Sequence, residues 1–207
     1  MHMRREQSDR LKLDALIRAV TGDRPNHAAG KAPLYIMRLP TPLCPMTACA
    51  SERGVCLLEF TDNQRIVREL QDLIRRLDAH ILPATNPHLD QLQAELEAYF
   101  AGQLKAFTVS VHTPGTTFQQ AAWKVLREIP YGETRSYKQQ ATAIGNPKAV
   151  RAVAAANGQN RISIVIPCHR VIGSDGSLTG YGGGLDRKKW LLEFEKTRGV
   201  QFKLFDD

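Results

Sequence analysis

The sequence of 207 residues has no apolar run near the ~20 residues that a membrane span needs. Its start, MHMRREQSDRLKLDALIRAV, is charged and lacks the apolar stretch of a secretory signal. It has four cysteines, Cys44, Cys49, Cys56 and Cys168, without regular spacing, which argues against a disulfide scaffold. A reducing cytoplasm is the expected compartment. The spacings C-x4-C and C-x6-C among the first three cysteines differ from the paired C-x2–4-C of structural zinc sites. These three read as small buried hydrophobes, and no metal is expected. There is no internal repeat. Hydrophobic content of 43% and charged content of 24% are ordinary for a globular protein of one large or two small domains.

Acidic residues are scarce in one place. Residues 113–207 carry 14 Lys and Arg against 8 Asp and Glu, while residues 1–112 carry 14 against 13. Within 148–190 the count is 7 against 2. Such a surplus fits either a polyanionic partner on that half or a solvated basic face.

Along the chain, Leu11–Val20 is a short amphipathic helix, and TGDRPNHAAGKAP after it reads as a linker. LYIMRL, Met46–Ala50 and VCLLEF are strand-like, with a turn at Arg53-Gly54. Ile66, Leu70, Leu73, Ile74 and Leu77 place a helix over 63–79. Asn86-Pro87 opens another, with Leu89, Leu92, Leu96, Tyr99 and Phe100 on its apolar side, closing near Gly102. Phe107, Val109 and Val111 alternate like a strand.

The second half differs. Thr116 or Thr117 caps a helix that Pro130-Tyr-Gly132 ends. Ser136 caps a short helix through Ile144. After Gly145-Asn146, Pro147 starts the helix KAVRAVAAA, so the pair has a helix-turn-helix pattern. ISIVIP reads as a short strand, GSDGSLTGYGGG as a flexible loop, and LDRKKWLLEFEKTRG as a last helix ending at Gly199.

Two features bear on chemistry. The helix KAVRAVAAANG shows small side chains and one arginine, Arg151. A helix that reads base edges in the major groove carries several long polar side chains. This one suits close approach to a minor groove with Arg151 inserted, or simply packs its alanines in a core. The second feature is Pro167-Cys168-His169-Arg170, set inside an apolar run. A reactive thiol needs a neighbouring cation or base, and the histidine needs an orienting carboxylate. Asp175, Asp186, Glu193 and Glu195 are the nearby carboxylates. The plain alternative is a buried cysteine at a strand end beside a solvent-facing His-Arg.

The segment NGQNRISIVIPCHRVIGSDGSLTGYGGGLDRKKWLLEFE resembles the active-site region of the O6-alkylguanine-DNA alkyltransferases, the methylated-DNA–protein-cysteine methyltransferases. The resemblance runs back through FQQAAWKVLREIPYGETRSYKQQATAIGNPKAVRAVAAANGQN, so that 116–195 match densely. It continues upstream in LPTPLCPMTACASERGVCLLEF, with Cys44 where the family usually has Gly.

The resemblance implies an α/β N-terminal domain with a small ribonuclease H-like sheet over 33–112. A mostly α, winged-helix-like DNA-binding domain follows over 113–207, and 1–32 form an extension without a counterpart. It implies that Cys168 accepts the alkyl group, that His169 is a water-bridged base and that Glu195 orients it. The relay lowers the thiol's proton affinity. The base pocket is implied to involve Tyr137, Asn160, Val171, Tyr181, Gly182 and Lys188. Tyr137 also pushes on the target phosphate, Asn160 is a hinge, and Gly182 leaves its N–H for the O6 oxygen. Arg151, Ala149 and Ala152 are implied DNA contacts, with Arg151 filling the gap left by the extruded base. No cofactor is implied. The partner is double-stranded DNA holding O6-alkylguanine, bound through the minor groove by a monomer.

Three other readings have less support. A non-catalytic relative carries Trp at the cysteine position, a thiol hydrolase has no need of a helix-turn-helix, and residues 1–32 are too short for a regulator's zinc-bearing domain. Arg170 receives no role beyond structural or phosphate-side support.

Overall fold

Four strands in the N-terminal half form one sheet in the order β3-β2-β1-β4. The structure, a computed structural model, describes residues 2–22 and 30–197. Strand β1 (Ala32–Leu39) lies antiparallel to β2 (Met46–Ser51), which lies antiparallel to β3 (Gly54–Phe60). Strand β4 (Ala79–Leu82) runs parallel to β1. Nearly every residue of β2 and β3 is buried, so helices or loops cover the sheet on both faces.

One face carries α2 (Ile66–Leu77) and α1 (His2–Thr21). Leu13, Leu16, Ile17 and Val20 of α1 pack against the cluster of Leu34, Ile36, Leu57, Leu70 and Leu73. The N-terminal extension is thus part of the fold, closing a second small core under α2. The other face carries α3 (Pro87–Phe100), capped by the Asn86 side chain accepting from Leu89 N. That face shares one core with the C-terminal half, since Leu58, Phe60 and Tyr99 cluster with Trp123, Ile129, Ile166, Cys168 and Phe194. The two halves are therefore joined by apolar packing rather than by a hinge in solvent.

In the C-terminal half, α4 (Thr117–Arg127) and α5 (Tyr137–Ala143) both start with capping boxes, Thr116 with Gln119 and Ser136 with Gln139. Helix α6 (Val150–Gly158) packs on both. Trp123 Nε1 donates to the Ala156 carbonyl at 2.9 Å. Gln140 Nε2 donates to Asn157 Oδ1 at 3.0 Å while Asn157 Nδ2 donates to Gln140 Oε1 at 2.7 Å. Buried amides need such reciprocal pairing, and the pair fixes the angle between α5 and α6. Strands β5 (Arg135–Ser136) and β6 (Val171–Ile172) form a short parallel ladder, and α7 (Leu185–Lys196) is the last element among the described residues.

Several expectations are corrected. Helix α1 extends well before Leu11, and β1 begins inside the stretch read as linker. Residues 23–29 of that stretch and Gly199 lie outside the described residues. The helix over 63–79 stops at Leu77, where Asp78 takes a left-handed φ of 44° and frees Ala79 to enter β4. Residues 107–111 make one bridge, Val55 to Val111, instead of a strand. Pro147 and Lys148 form a turn, and α6 starts at Val150. ISIVIP is not a strand: Ile162 makes a single bridge to Leu58, and the chain then turns sharply.

The hairpin at Gly54 tests the packing of the sheet edge. Its φ is 138°, and a Cβ there would lie 2.6 Å from the Ser110 carbonyl oxygen. Gly54→Ala is expected to cost about 2–4 kcal/mol in urea unfolding, since a strained φ and a backbone clash add. Gly145→Ala, with φ 82° but open space around it, is expected to cost about 1 kcal/mol.

Candidate active site

Burial of an apolar run sets the first constraint. Residues 161–163 dock on the free edge of β3, where Leu58 N donates to the Arg161 carbonyl and Ser163 N donates to the Leu58 carbonyl, both at 2.8 Å. The chain then reverses within the core. Val165 N bonds the Ser163 carbonyl at 2.8 Å, closing a γ-turn at Ile164, whose φ is 71°. A β-branched residue in that region stores about 1–3 kcal/mol of strain. A second γ-turn, of the relaxed inverse kind, has Pro167 at its centre, with φ −82° and ψ 62° and Cys168 N bonded to the Ile166 carbonyl at 2.8 Å. A 3-10 turn over Cys168–Arg170 follows.

Asn160 clasps this double turn. Its Oδ1 accepts from Ile162 N at 3.0 Å, while its Nδ2 donates to the Ile166 carbonyl at 2.8 Å and to Cys168 Sγ at 3.1 Å. Cys168 is 7% exposed at the edge of the shared core. Burial pushes its thiol up to about 11, against the opposing pull of the Asn160 hydrogen bond. The expectation of a lowered thiol is therefore not met in the free protein. The resting group is the thiol, and a proton must leave it during any reaction.

The histidine next to it is held from below. His169 Nε2 meets Glu195 Oε1 at 3.0 Å, and both side chains are fully buried. Of the four nearby carboxylates, the fold brings Glu195 to the histidine. Burial pulls the His169 pKa below 6.5, with Glu195 opposing, so the ring is neutral near pH 7. A neutral ring that donates from Nε2 to a carboxylate presents Nδ1 as a base, and Nδ1 has no hydrogen-bond partner. Burial also works against the charge of Glu195, yet bonds and charges from His169 and Arg170 outweigh it and hold the carboxyl well below the usual range.

Arg170 was expected to give structural or phosphate-side support, and the structure favours the first. It is buried, so a phosphate contact is excluded. Its Nε and Nη2 fork onto the two Glu195 oxygens, each at 2.9 Å, and Nη1 donates to the Ile129 carbonyl at 2.6 Å. Two more donors were missed. Tyr99 Oη, from α3, donates to Glu195 Oε1 at 2.8 Å, and Gly132 N donates to Oε2 at 3.2 Å. Tyr99 looked like one more apolar position after Leu92 and Leu96. A phenol on the buried stripe of a helix, which needs a partner for its hydroxyl, was the available signal.

The remaining candidates surround the thiol's approach. Lys188 is fully buried, and its Nζ donates to the carbonyls of Val171 and Thr179 at 2.6 Å each, tying β6 to the loop before α7. Burial draws its pKa down to about 8. Tyr181 sets its ring edge-on to His169 with centroids 6.4 Å apart. Tyr137 Oη donates to the Thr179 carbonyl at 3.1 Å. Gly182 is exposed, and Arg65 of the N-terminal half occupies the space a side chain there would take. Tyr137, Tyr181, Gly182, Arg65 and Arg151 line a cavity of about 480 Å³ between α6 and this loop. On α6, Arg151 and Ala152 are exposed with Ala154, Ala155 and Gly158, and Ala149 at the cap is half-buried. The alanines thus mostly face outward, which removes the core-packing alternative for that face. Among the described residues no group of three or more His, Cys, Asp or Glu side chains is placed to hold a metal. Cys49 and Cys56 are buried and free.

The Glu195 cluster makes two stability predictions. Glu195→Gln leaves the buried Arg170 charge unmatched and is expected to cost about 3–5 kcal/mol, whereas Tyr99→Phe removes one donor and is expected to cost about 1.5–3 kcal/mol. A carboxylate held ionised in the fold contributes stability above its unfolded pKa, near 4.5, that is lost as pH falls below it. Unfolding followed between about pH 6 and pH 3 is expected to show a steeper acid loss in the unsubstituted chain than in Glu195→Gln.

Comparison with known proteins identifies the architecture. Residues 34–113 match the family model of the 6-O-methylguanine DNA methyltransferase ribonuclease-like domain, and residues 117–197 match that of the DNA binding domain. A methylated-DNA–protein-cysteine methyltransferase from Methanosarcina barkeri is 42% identical over 163 residues, covering 79% of this chain and 98% of the relative. One from Mycobacterium tuberculosis is 58% identical over 113 residues, covering 54% of this chain and 68% of the relative. The crystal structure of the M. tuberculosis O6-methylguanine methyltransferase is similar with a TM-score of 0.67 at 42% identity, covering 80% of this chain and 94% of that one. A structure of the M. tuberculosis protein in complex with DNA is similar to the same degree. With both domains matched in order over most of its length, the chain belongs to the 6-O-methylguanine DNA methyltransferase family.

Proposed function

We propose that this protein repairs O6-alkylguanine in duplex DNA by moving the alkyl group to its own Cys168, once per molecule. The observation that carries this reading is a buried thiol held by Asn160 and followed in the chain by a histidine that is anchored on Glu195 and keeps Nδ1 unbonded, with Tyr181 linking that histidine to a cavity along the small-residue face of α6.

Stacked DNA hides an O6-alkyl group, so the nucleotide must turn out of the helix, at a cost of a few kcal/mol. Helix α6 approaches the minor groove through Ala152 and its exposed small neighbours, and Arg151 enters the stack to offset that cost. Tyr137 at the cavity mouth crowds the target phosphate. The base enters beside Tyr181, with the Gly182 N–H and the Val171 segment offering backbone groups to its polar edge.

The thiol proton passes through one water to His169 Nδ1, and Glu195 stabilises the imidazolium that forms. The sulfur attacks the alkyl carbon, an S–C bond forms, and the C–O6 bond breaks. The electron pair stays on the guanine oxygen, and a proton or hydrogen bonds at the base neutralise it. Asn160, bonded to the sulfur, keeps the nucleophile aimed through the step. The product is a thioether, a bond stable in water, so one molecule acts once, and the reaction uses no cofactor. A monomer suffices, since one chain supplies every group named.

Incubation with DNA bearing labelled O6-methylguanine is expected to place about one methyl per chain, all on Cys168, and Cys168→Ala is expected to accept none. Label on another residue, or repeated turnover, overturns the reading. Arg151→Ala is expected to slow transfer from duplex DNA much more than transfer from free O6-benzylguanine, and equal slowing removes its extrusion role. The rate is expected to fall on acidification with a midpoint below pH 6.5, because burial lowers the proton affinity of His169.

A further inference from the structure

We propose that the N-terminal half carries a second DNA-binding surface, an arginine-lined cleft between α2 and the α4–α6 pair that grips the phosphate backbone next to the stretch engaged by α6. The proposal rests on the reading that α6 lies on DNA, and extends it to a part of the chain that neither charge counting nor the helix-turn-helix pattern marks.

The cleft has a volume of about 710 Å³ and is lined by Arg65, Arg68, Arg75, Arg76 and Arg161, with Glu69 and Asp72 as its two carboxylates. Positions 65, 68, 72 and 75 recur at helical spacing, so α2 and the residue before it turn one charged face to the cleft. Its opposite face, with Ile66, Leu70 and Leu73, is buried in the core under the sheet. The division is that of an amphipathic helix, and the cleft it faces holds five arginines against two carboxylates.

Two observations point this charge at DNA. The first is continuity. Arg65 Nη1 donates to the Gly158 carbonyl at 2.6 Å, so the cleft begins where the exposed stripe of α6 ends. Arg65 also lines the cavity that Arg151 and Tyr137 share, and one guanidinium belongs to both surfaces. The second is preorganisation. Asp72 binds Arg75, Arg76 and Arg161 at once, and these contacts hold the three guanidinium groups beside one another while neutralising only one charge. Fixed arginines lose less freedom when they meet a phosphate than free ones do. Glu69 and Asp72 offset part of this charge, and the excess left in the cleft is hidden in a count over residues 1–112 because further Asp and Glu elsewhere in that half balance it.

From 65 to 75 the face is roughly 15 Å long, enough to meet two or three phosphates of one strand. Each phosphate neutralised by an arginine contributes about 0.9 to the slope of log affinity against log salt. The test is the affinity of the full chain for an undamaged duplex oligonucleotide between about 50 and about 200 mM KCl, by fluorescence anisotropy. Arg68→Gln and Arg75→Gln, both at exposed positions, are each expected to flatten the slope by about 0.9, and the double variant by about 1.8. Gln71→Lys adds a cation at an exposed position lining the same cleft and is expected to steepen the slope by about 0.9. Slopes parallel to that of the unsubstituted chain in all of these overturn the proposal and leave the arginines as ion pairs between the two halves. Methyl acceptance by Cys168 separates the two readings. A changed slope without methyl acceptance keeps the surface and removes the repair reaction, and acceptance with unchanged slopes does the reverse.

Discussion

The Glu195 carboxylate accepts five hydrogen bonds, from Tyr99 on α3, Gly132 in the turn after α4, and His169 and Arg170 in the 3-10 turn, while itself riding on α7. A buried charge of this kind is tolerable only when its oxygens are fully engaged. Once engaged, it leaves its partners little choice of position. His169 must present Nε2 downward, which fixes its tautomer and turns Nδ1 away from Glu195. Arg170 must stay buried, which keeps the 3-10 turn wound. Helix α3 must lie where its Tyr99 reaches, which brings the N-terminal sheet against the C-terminal helices.

Much of this was legible in the residues, and the limits follow from physics. Capping residues acted locally, so Asn86, Thr116 and Ser136 marked their helices well. ISIVIP failed because a short run rich in β-branched residues carries the same pattern whether it pairs along its length or coils inside a core. Here two γ-turns replace the ladder, held by the Asn160 side chain and the edge of β3, and no periodicity encodes that. Strand β4 was missed because its four residues directly follow α2, with Asp78 in a left-handed conformation making the break. For the site, Cys168, His169 and Glu195 could be named by motif resemblance. The partners that make Glu195 effective could not, since Tyr99 is 96 residues away and contacts of that range leave no local trace.

The N-terminal half takes a larger part than the word scaffold conveys. It supplies the β3 edge on which the thiol's segment docks, the phenol that bonds Glu195, and the Arg65 side chain at the cavity mouth. Helix α1 lies before both matched regions, yet it closes the sheet face opposite to the reactive one and backs the core beneath α2. The arrangement places rigid, doubly covered strands behind a strained turn. That support is what lets Ile164 keep a backbone angle its side chain disfavours.

The docking of Ser163 on Leu58 also has a consequence in time. The contacts that shape the reactive turn join residues about a hundred positions apart, Leu58 with Ile162, Glu59 with Ser163, and Tyr99 with Glu195. Loops of that length close only after local helices and hairpins have formed, because their entropy cost is met by contacts that come last. A chain emerging from its N-terminus is therefore expected to form the sheet before the helix pair, and Glu195, on α7, is the last of these partners to arrive. On that order His169 gains its anchor last, so a partly folded molecule lacks the completed site.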